Sequence, residues 1–448
     1  MKVDSIMPIK SRYNIIFKLH DGPGRLIANS LYGSADILSA EEYARYEAEN
    51  FDSAMWRERG YVVDPAEEKV TFQKQYVDFL DDRETDEMQL FFVPSYNCNF
   101  ECDYCYQHEY AAEKSAYDTA IVDAFFDYIS TEFAGRRKYC TLFGGEPLLP
   151  SDKAFALVSH FLNQAKSKGL ETAIVTNGYH LKKYLPLLRD SLIREVQVTL
   201  DGPESVHNQR RPLKGGGKTF DEIVDGIDEL LAAKIPVNLR MVVDSTNMAS
   251  LADLATFAIE RGWTNAAGFK TQLGRNYELH SCQKNGEALY SRVRMYAELK
   301  ALIEQHPHIL SFHTPAFHFV KSLRDNGELP PALFDSCPGC KTEWAFDFQG
   351  NIYSCTATVG KEDEVLGTFF PEITRNDDAI DAWQDRDILG IEKCRNCNLA
   401  LVCGGGCGSV AKNTNGHLDS PDCRPVEEIA QTGAALFFTE QGDIRRLS

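Results

Sequence analysis

"YNCNFECDYCYQ" (residues 96–107) puts Cys98, Cys102 and Cys105 into eight positions, directly after "MQLFFVPSY" (88–96), an apolar and aromatic run with the composition of a buried strand. Three thiolates on the loop that leaves a strand, with no fourth ligand beside them, suit a metal centre with an open position. Three cysteines can hold three irons of a four-iron, four-sulfur cluster and leave the fourth iron to an external ligand. A zinc knuckle completed by a distant ligand is the other reading of these residues alone.

Outward from that loop, residues 88–305 alternate β-branched and aromatic runs with helical stretches, the pattern of repeated βα units around a parallel sheet. Six strands are expected, at 88–96, 138–145, 171–178, 194–202, 236–244 and 266–274. The helix expected at 219–234 repeats Phe220, Ile223, Ile227 and Leu230 at helical spacing, with Asp221 and Glu222 in its first turn. The expected fold class is α/β: a partial (β/α)6 TIM-like barrel, whose ligands would sit at the carboxyl ends of the strands.

Those ends carry "GGEP" (Gly144, Gly145, Glu146, Pro147), "TNG" with Thr176 and Asn177, and "LDGP" with Asp201. Glycines there let backbone carbonyls approach a ligand, while Glu146 and Pro147 fix the turn. Arg240 lies inside strand five among apolar neighbours and needs an anion, either Asp201 in an internal salt bridge or a ligand carboxylate. "KGGGKT" (214–219) lacks the spacing and the preceding strand of a phosphate loop and is expected to be a plain loop.

The spacing C-x3-C-x-aromatic-C, with Tyr104 as the aromatic, resembles the signature of the radical S-adenosylmethionine (SAM) superfamily. That resemblance implies that Cys98, Cys102 and Cys105 hold a SAM-binding 4Fe-4S cluster, that "GGEP" meets the SAM amino group, and that Thr176, Asn177, Asp201 and Arg240 contact the rest of the cofactor. It further implies reductive cleavage of SAM to a 5'-deoxyadenosyl radical, which takes a hydrogen atom from substrate. "VHNQRRP" (206–212) follows "DGP" as "HDxxR" does in related enzymes, with Asn208 in place of the aspartate.

Further on, Cys340-x9-Gly350-x4-Cys355 and Cys394-x2-Cys397-x5-Cys403-x3-Cys407-x15-Cys423 resemble the SPASM extension of the same superfamily. By that resemblance Cys337, Cys340, Cys355 and Cys407 bind one auxiliary cluster, and Cys394, Cys397, Cys403 and Cys423 a second. The total is three 4Fe-4S clusters. Cys337 lies outside the seven-cysteine motif, and two structural zinc sites are the competing reading. The Gly- and Cys-rich region 336–424 is expected to be irregular and held together by its metals.

Residues 1–80 read as a small α+β, winged-helix-like module of three strands followed by helices. It resembles the peptide-recognition domains that take a leader segment as an added strand, or else it is a cap on the barrel. The charged "DDRETDEM" (81–88) reads as a linker, 306–335 as a bridge, and 425–448 as a C-terminal helix and tail. The implied function is that of a ribosomal-peptide maturase installing a thioether or carbon–carbon crosslink on a precursor peptide, with flavodoxin or ferredoxin as electron donor. Sulfatase-maturase-type oxidation is the alternative, and there the expected acidic neighbour of Cys355 is replaced by Thr356. Small-molecule dehydrogenation, a plain electron carrier and a zinc scaffold complete the alternatives. No residue presents itself as the catalytic base.

Composition bounds these readings. Thirteen cysteines without an export signal point to ligation in a reducing cytoplasm rather than to disulfides, and the net charge of −19 argues against a nucleic-acid partner. No run is apolar and long enough for a membrane span. Cys140 is expected as a buried core thiol and Cys282 as an exposed one. His306, His308, His313 and His318 are expected on the surface or satisfied in the core.

Overall fold

In the computed structural model, which describes residues 8–20, 22–105, 117–275 and 288–439, the chain opens with β1 (Ile9–Lys10) and an antiparallel meander of β2 (Asn14–Lys18), β3 (Arg25–Asn29) and β4 (Ser34–Leu38). Strand alternation buries both faces of this sheet. Ile15, Phe17, Leu26 and Ala28 turn into the main core, whereas Ile27 and Leu38 join Tyr46, Trp56 and Tyr61 in a local one. The module is therefore packed onto the rest of the chain. The C-terminal helix Val426–Phe437 lies along β2, and Gln431 exchanges hydrogen bonds of 2.7 and 2.6 Å with the backbone of Lys18.

After β5 (Val62–Val63), which pairs with β1, the helix Pro65–Thr85 runs through most of the segment read as a linker. That expectation is corrected, and the cause lies upstream of the charges. Asp64 caps the helix by accepting from Ala66 N at 2.7 Å, Pro65 suits the first turn, and Phe72, Tyr76 and Phe79 recur at helical spacing. All three rings close on Phe334, with centroids 5.1, 5.2 and 5.6 Å away. A helix anchored in this way carries its exposed acidic end along with it.

The six expected barrel strands are β6 (Met88–Val93), β7 (Lys138–Leu142), β8 (Thr172–Thr176), β9 (Ile193–Thr199), β10 (Val237–Val243) and β11 (Phe269–Arg275), parallel and adjacent in chain order. Their alternation sorts the side chains cleanly. Leu90, Phe92, Cys140, Leu142, Ile174, Val196, Val198, Leu239 and Met241 pack outward against the helices. The opposite parity, Gln197 and Thr199 on β9, Asn238 and Arg240 on β10, and Gln272 and Gly274 on β11, turns to the barrel interior. The sheet does not close, as a partial barrel requires. The helix Phe220–Ala232 lies where its apolar period placed it.

The Cys-rich region is not irregular throughout, which corrects a second expectation. β12 (Glu343–Asp347) adds in parallel to β6, and β13 (Asn351–Tyr353), β14 (Gly367–Thr368) and β15 (Thr374–Arg375) continue antiparallel, so the sheet has ten strands among the described residues. These pieces are too short to show a period in sequence. They borrow the barrel's core instead of building one: Trp344 and Phe346 pack on Phe133 and Phe125, at 5.5 and 5.2 Å between ring centroids. Arg386, 1% exposed, ties the remaining turns by donating to the carbonyls of Gly405, Gly406, Leu418 and Ser420. Such polar ties join turns that lack regular structure.

Candidate active site

The three-cysteine loop leaves β6 and is fastened at once to the turn that leaves β7. Gly145 N donates to Ser95 O at 3.1 Å and Glu146 N to Asn97 O at 2.7 Å. Both glycines are required by this approach. A Cβ on Gly145 would stand 2.1 Å from Asn97 O, and Gly144, at φ +133°, would place one 2.9 Å from Ser95 O. "GGEP" is thus a clasp on the cysteine loop, with Pro147 buried behind it.

Glu146 is 2% exposed and its carboxylate is committed to the protein. It accepts from Thr176 Oγ1 and Asn177 N, both at 2.6 Å, and from Leu148 N at 2.9 Å. Burial raises its pKa, against those bonds. Glu146 therefore joins the ends of β7 and β8. Asn177 reaches back to the loop, donating to Asn99 Oδ1 at 2.8 Å with Cys98 Sγ at 3.9 Å.

Asp201 is fully buried and equally engaged. Its carboxylate accepts from Tyr104 Oη at 2.7 Å, Val242 N at 3.0 Å and Arg210 Nε at 3.4 Å, while Arg210 also pairs with Asp244 at 3.0 Å. In this arrangement Asp201 positions the aromatic of the cysteine motif. Asn208 caps the helix Phe220–Ala232 by accepting from Thr219 N and Phe220 N at 2.8 and 3.0 Å, work that an aspartate or an asparagine does alike. Arg240 forms no salt bridge to Asp201. Its Nε is buried without a partner, its Nη1 is 3.5 Å from Gln197 Oε1, and Gly274 leaves room for its guanidinium.

The thiols are gathered in three sets. Cys98 and Cys102 each interact electrostatically with Cys105, and burial pushes them up to about 11 and about 12. Cys355 senses Cys337 and Cys407, and Cys340 senses Cys355 and Cys337. Cys394 senses Cys403, Cys397 and Cys423. Amide hydrogens point at several sulfurs, Phe100 N at Cys98 Sγ (3.3 Å), Gly339 and Gly408 at Cys337, and Arg424 at Cys403. Among the described residues no three His, Cys, Asp or Glu stand close enough to grip a single bare ion.

This donor set fits iron–sulfur clusters. Buried thiols ionise only against a strong positive charge, which iron supplies, and N–H groups aimed at sulfur stabilise thiolate. Unpaired buried N–H groups on Asn99, Arg211 and Arg240 leave donors for a further ligand. A bridge also links two cysteine loops: Tyr96, two residues before Cys98, and Tyr353, two before Cys355, both donate to Asp347 Oδ2, at 2.7 and 3.0 Å. Arg211 closes the "HDxxR"-like motif that begins at His207, although no partner for it is legible in sequence, and Asp347 was not singled out at all, since an aspartate before a turn carries no motif. Cys140 is fully buried in the core as expected, and Cys282 lies outside the described residues.

Residues 92–258 match the family model of the radical SAM superfamily. They form a radical SAM domain. The GTP 3',8-cyclase of Nautilia profundicola is 28% identical over 169 residues, covering 37% of this chain and 51% of its own length. The serine-type anaerobic sulfatase-maturating enzyme of Klebsiella aerogenes is 30% identical over 168 residues, covering 35% and 39%. The chain thus spans about half, or less, of the length of these curated relatives. Among solved structures, anSMEcpe with bound AdoMet and Cp18Cys peptide matches with a TM-score of 0.58 at 18% identity, over 78% of this chain and 96% of that one. Streptococcus suis SuiB bound to its precursor peptide SuiA matches at 0.54 and 16%, over 94% and 99%. At these identities the likeness is one of fold. A radical SAM domain implies SAM and a 4Fe-4S cluster. No helix among the described residues is long and apolar enough to cross a membrane.

Proposed function

We propose that this protein is a radical SAM enzyme that modifies a ribosomally made precursor peptide, forming a thioether or carbon–carbon crosslink, in the cytoplasm and with electrons from a flavodoxin or ferredoxin. The observation that carries the reading is the sorting of the C-terminal thiols: Cys337, Cys340, Cys355 and Cys407 sense one another, and so do Cys394, Cys397, Cys403 and Cys423. Each set supplies the four thiolates of a closed auxiliary cluster, whereas Cys98, Cys102 and Cys105 leave one iron for SAM. When bound, that cluster supplies the electron that cleaves SAM to methionine and the hydrogen-abstracting radical.

This chain's residues bind and orient. Gly144 and Gly145 bring the β7 turn onto the cysteine loop, where backbone carbonyls can meet the SAM amino group. Arg240, with its free N–H in the barrel interior, is assigned to the SAM carboxylate. Thr176, Asn177, Glu146 and Asp201 hold the strand ends in register behind it. The three-strand meander β2–β4 supports a peptide partner, because an edge strand can accept a leader segment by backbone pairing, and a match to SuiB that runs over 94% of this chain includes that module.

A second reading, oxidation of a serine or cysteine side chain, draws on the likeness to the sulfatase maturases. The acid absent next to Cys355 has a local counterpart: the half-buried carboxylate of Glu343 accepts from Thr356 N at 3.0 Å. Anaerobic incubation of reconstituted enzyme with SAM, a reductant and either a short peptide encoded beside the gene or a sulfatase-motif peptide separates the two. Loss of two hydrogen masses with a crosslinked fragment pattern in the first supports our proposal. Aldehyde formation in the second, with no change in the first, overturns it.

A further inference from the structure

A buried guanidinium faces the middle cysteine of the triad. The cysteine loop runs antiparallel to residues 210–214: Lys214 N donates to Asn99 O at 2.8 Å, Glu101 N to Pro212 O at 2.9 Å and Asp103 N to Arg210 O at 3.4 Å, with Phe100 bridged to Leu213. The same register sets Arg211 opposite Cys102. Arg211 is 8% exposed, and its guanidinium lies 5.7 Å from the Phe100 ring centroid and 5.9 Å from that of Tyr104. One nitrogen, Nη1, donates to the Tyr104 hydroxyl, while the buried Nε–H has no partner.

An arginine stays charged even when buried, so it needs negative charge nearby. The Asp201 carboxylate acts on it, yet Asp201 also serves Arg210 at 3.4 Å and accepts from Tyr104. Beyond Tyr104 and the neutral His207, the other groups that feel Arg211 are Cys102, Cys98 and Glu146. Two of these are proposed cluster ligands, and Glu146 is tied down by three hydrogen bonds.

We propose that Arg211, held by Tyr104, is a positioning residue that raises the reduction potential of the cluster on Cys98, Cys102 and Cys105. This rests on the assignment of a 4Fe-4S cluster to that triad. Three thiolates around a doubly positive core leave one net negative charge, and the electron taken from an external low-potential donor adds a second. A fixed cation beside Cys102 favours the more negative state, and an N–H donor toward sulfur acts in the same direction. The arginine thereby makes the electron needed for SAM cleavage easier to accept.

The test is a redox titration of reconstituted full-length protein, followed by the EPR signal that changes when SAM is added, in wild type and in R211Q, R211K and D201N. Removing the charge in R211Q should make reduction about tenfold less favourable, 59 mV for a one-electron couple. R211K should recover most of that loss, and D201N should shift the potential upward. A merely structural arginine predicts instead that R211Q and R211K lose stability alike with the potential unmoved, and that result overturns the proposal. Should R211Q hold no iron, the other two variants decide: a wild-type-like R211K together with a raised D201N supports it, and an unshifted D201N sinks it. A wild type without iron on the triad, read beforehand by iron assay, would overturn the cluster assignment itself.

Discussion

Replacing Gly145 by alanine inserts one methyl group where the turn after β7 meets the cysteine loop. The added carbon would stand 2.1 Å from Asn97 O and 2.6 Å from two backbone carbons of residues 96 and 97. None of these atoms can rotate away, so the turn and the loop must part by roughly 1 Å before contact becomes tolerable, a displacement that can cost on the order of 100-fold where reacting groups must be aligned. The same movement breaks Gly145 N to Ser95 O and Glu146 N to Asn97 O, at about 1 kcal/mol each, on top of about 1–3 kcal/mol of overpacking. We expect G145A to keep the auxiliary iron, to bind SAM at least tenfold more weakly, and to form 5'-deoxyadenosine about 100-fold more slowly. Equilibrium SAM binding and product quantification under anaerobic conditions measure both. Gly390, where an added carbon meets nothing closer than 3.7 Å, provides the matched control. SAM cleavage by G145A within twofold of wild type would refute the clasp.

Gly408 lies between Cys337 of the first auxiliary set and the Trp383 ring: an added carbon would meet Cys337 Sγ at 3.1 Å and Trp383 at 2.8 Å. G408A should therefore lose about four irons while the triad's iron stays, as metal analysis of wild type and variant would show. Phe334→Ala removes the ring on which Phe72, Tyr76 and Phe79 converge and should cost about 3–5 kcal/mol, measurable as a fall in the denaturant midpoint at unchanged m-value. Burial lowers the pKa of His313 to about 4, so its unfolded form binds the extra proton and stability falls as pH drops from about 6.5 toward 4. H313Q should flatten that slope between pH 6.5 and 5 by up to one linked proton, and an unchanged slope would assign the linkage elsewhere.

The cysteine loop, the six barrel strands and the glycine-rich turns at their ends were all legible in sequence, because each strand buries one face on the helices and prints a period-two pattern. The expected strands ran long, into "GGEP", "TNG" and "LDGP", whereas the strands end at Leu142, Thr176 and Thr199. What stayed hidden depended on partners distant in the chain. β12 has only Trp344 and Phe346 to mark it, and it forms because the edge of β6 is there to receive it. The helix Pro65–Thr85 outruns its apolar residues because the Phe334 contacts hold its middle.

Side-chain roles were harder still to read. Glu146 and Asp201 looked like ligand contacts, whereas their carboxylates are saturated by Thr176, Asn177 and Leu148 in one case and by Tyr104, Val242 and Arg210 in the other. Arg240 offered two readings, and the absence of a bond to Asp201 leaves its guanidinium facing the barrel interior. Arg386, and the placing of Arg211 opposite Cys102, acquire meaning only once segments far apart in sequence meet.

The central claim is that the triad and the eight later cysteines do different things: one site is left open for SAM, two are closed. Anaerobically purified wild type should be brown, carry about twelve irons and release 5'-deoxyadenosine when reduced with SAM. The variant with Cys98, Cys102 and Cys105 replaced by alanine should keep about eight irons and release none. A colourless zinc protein, or a triple variant that still cleaves SAM, would contradict the account.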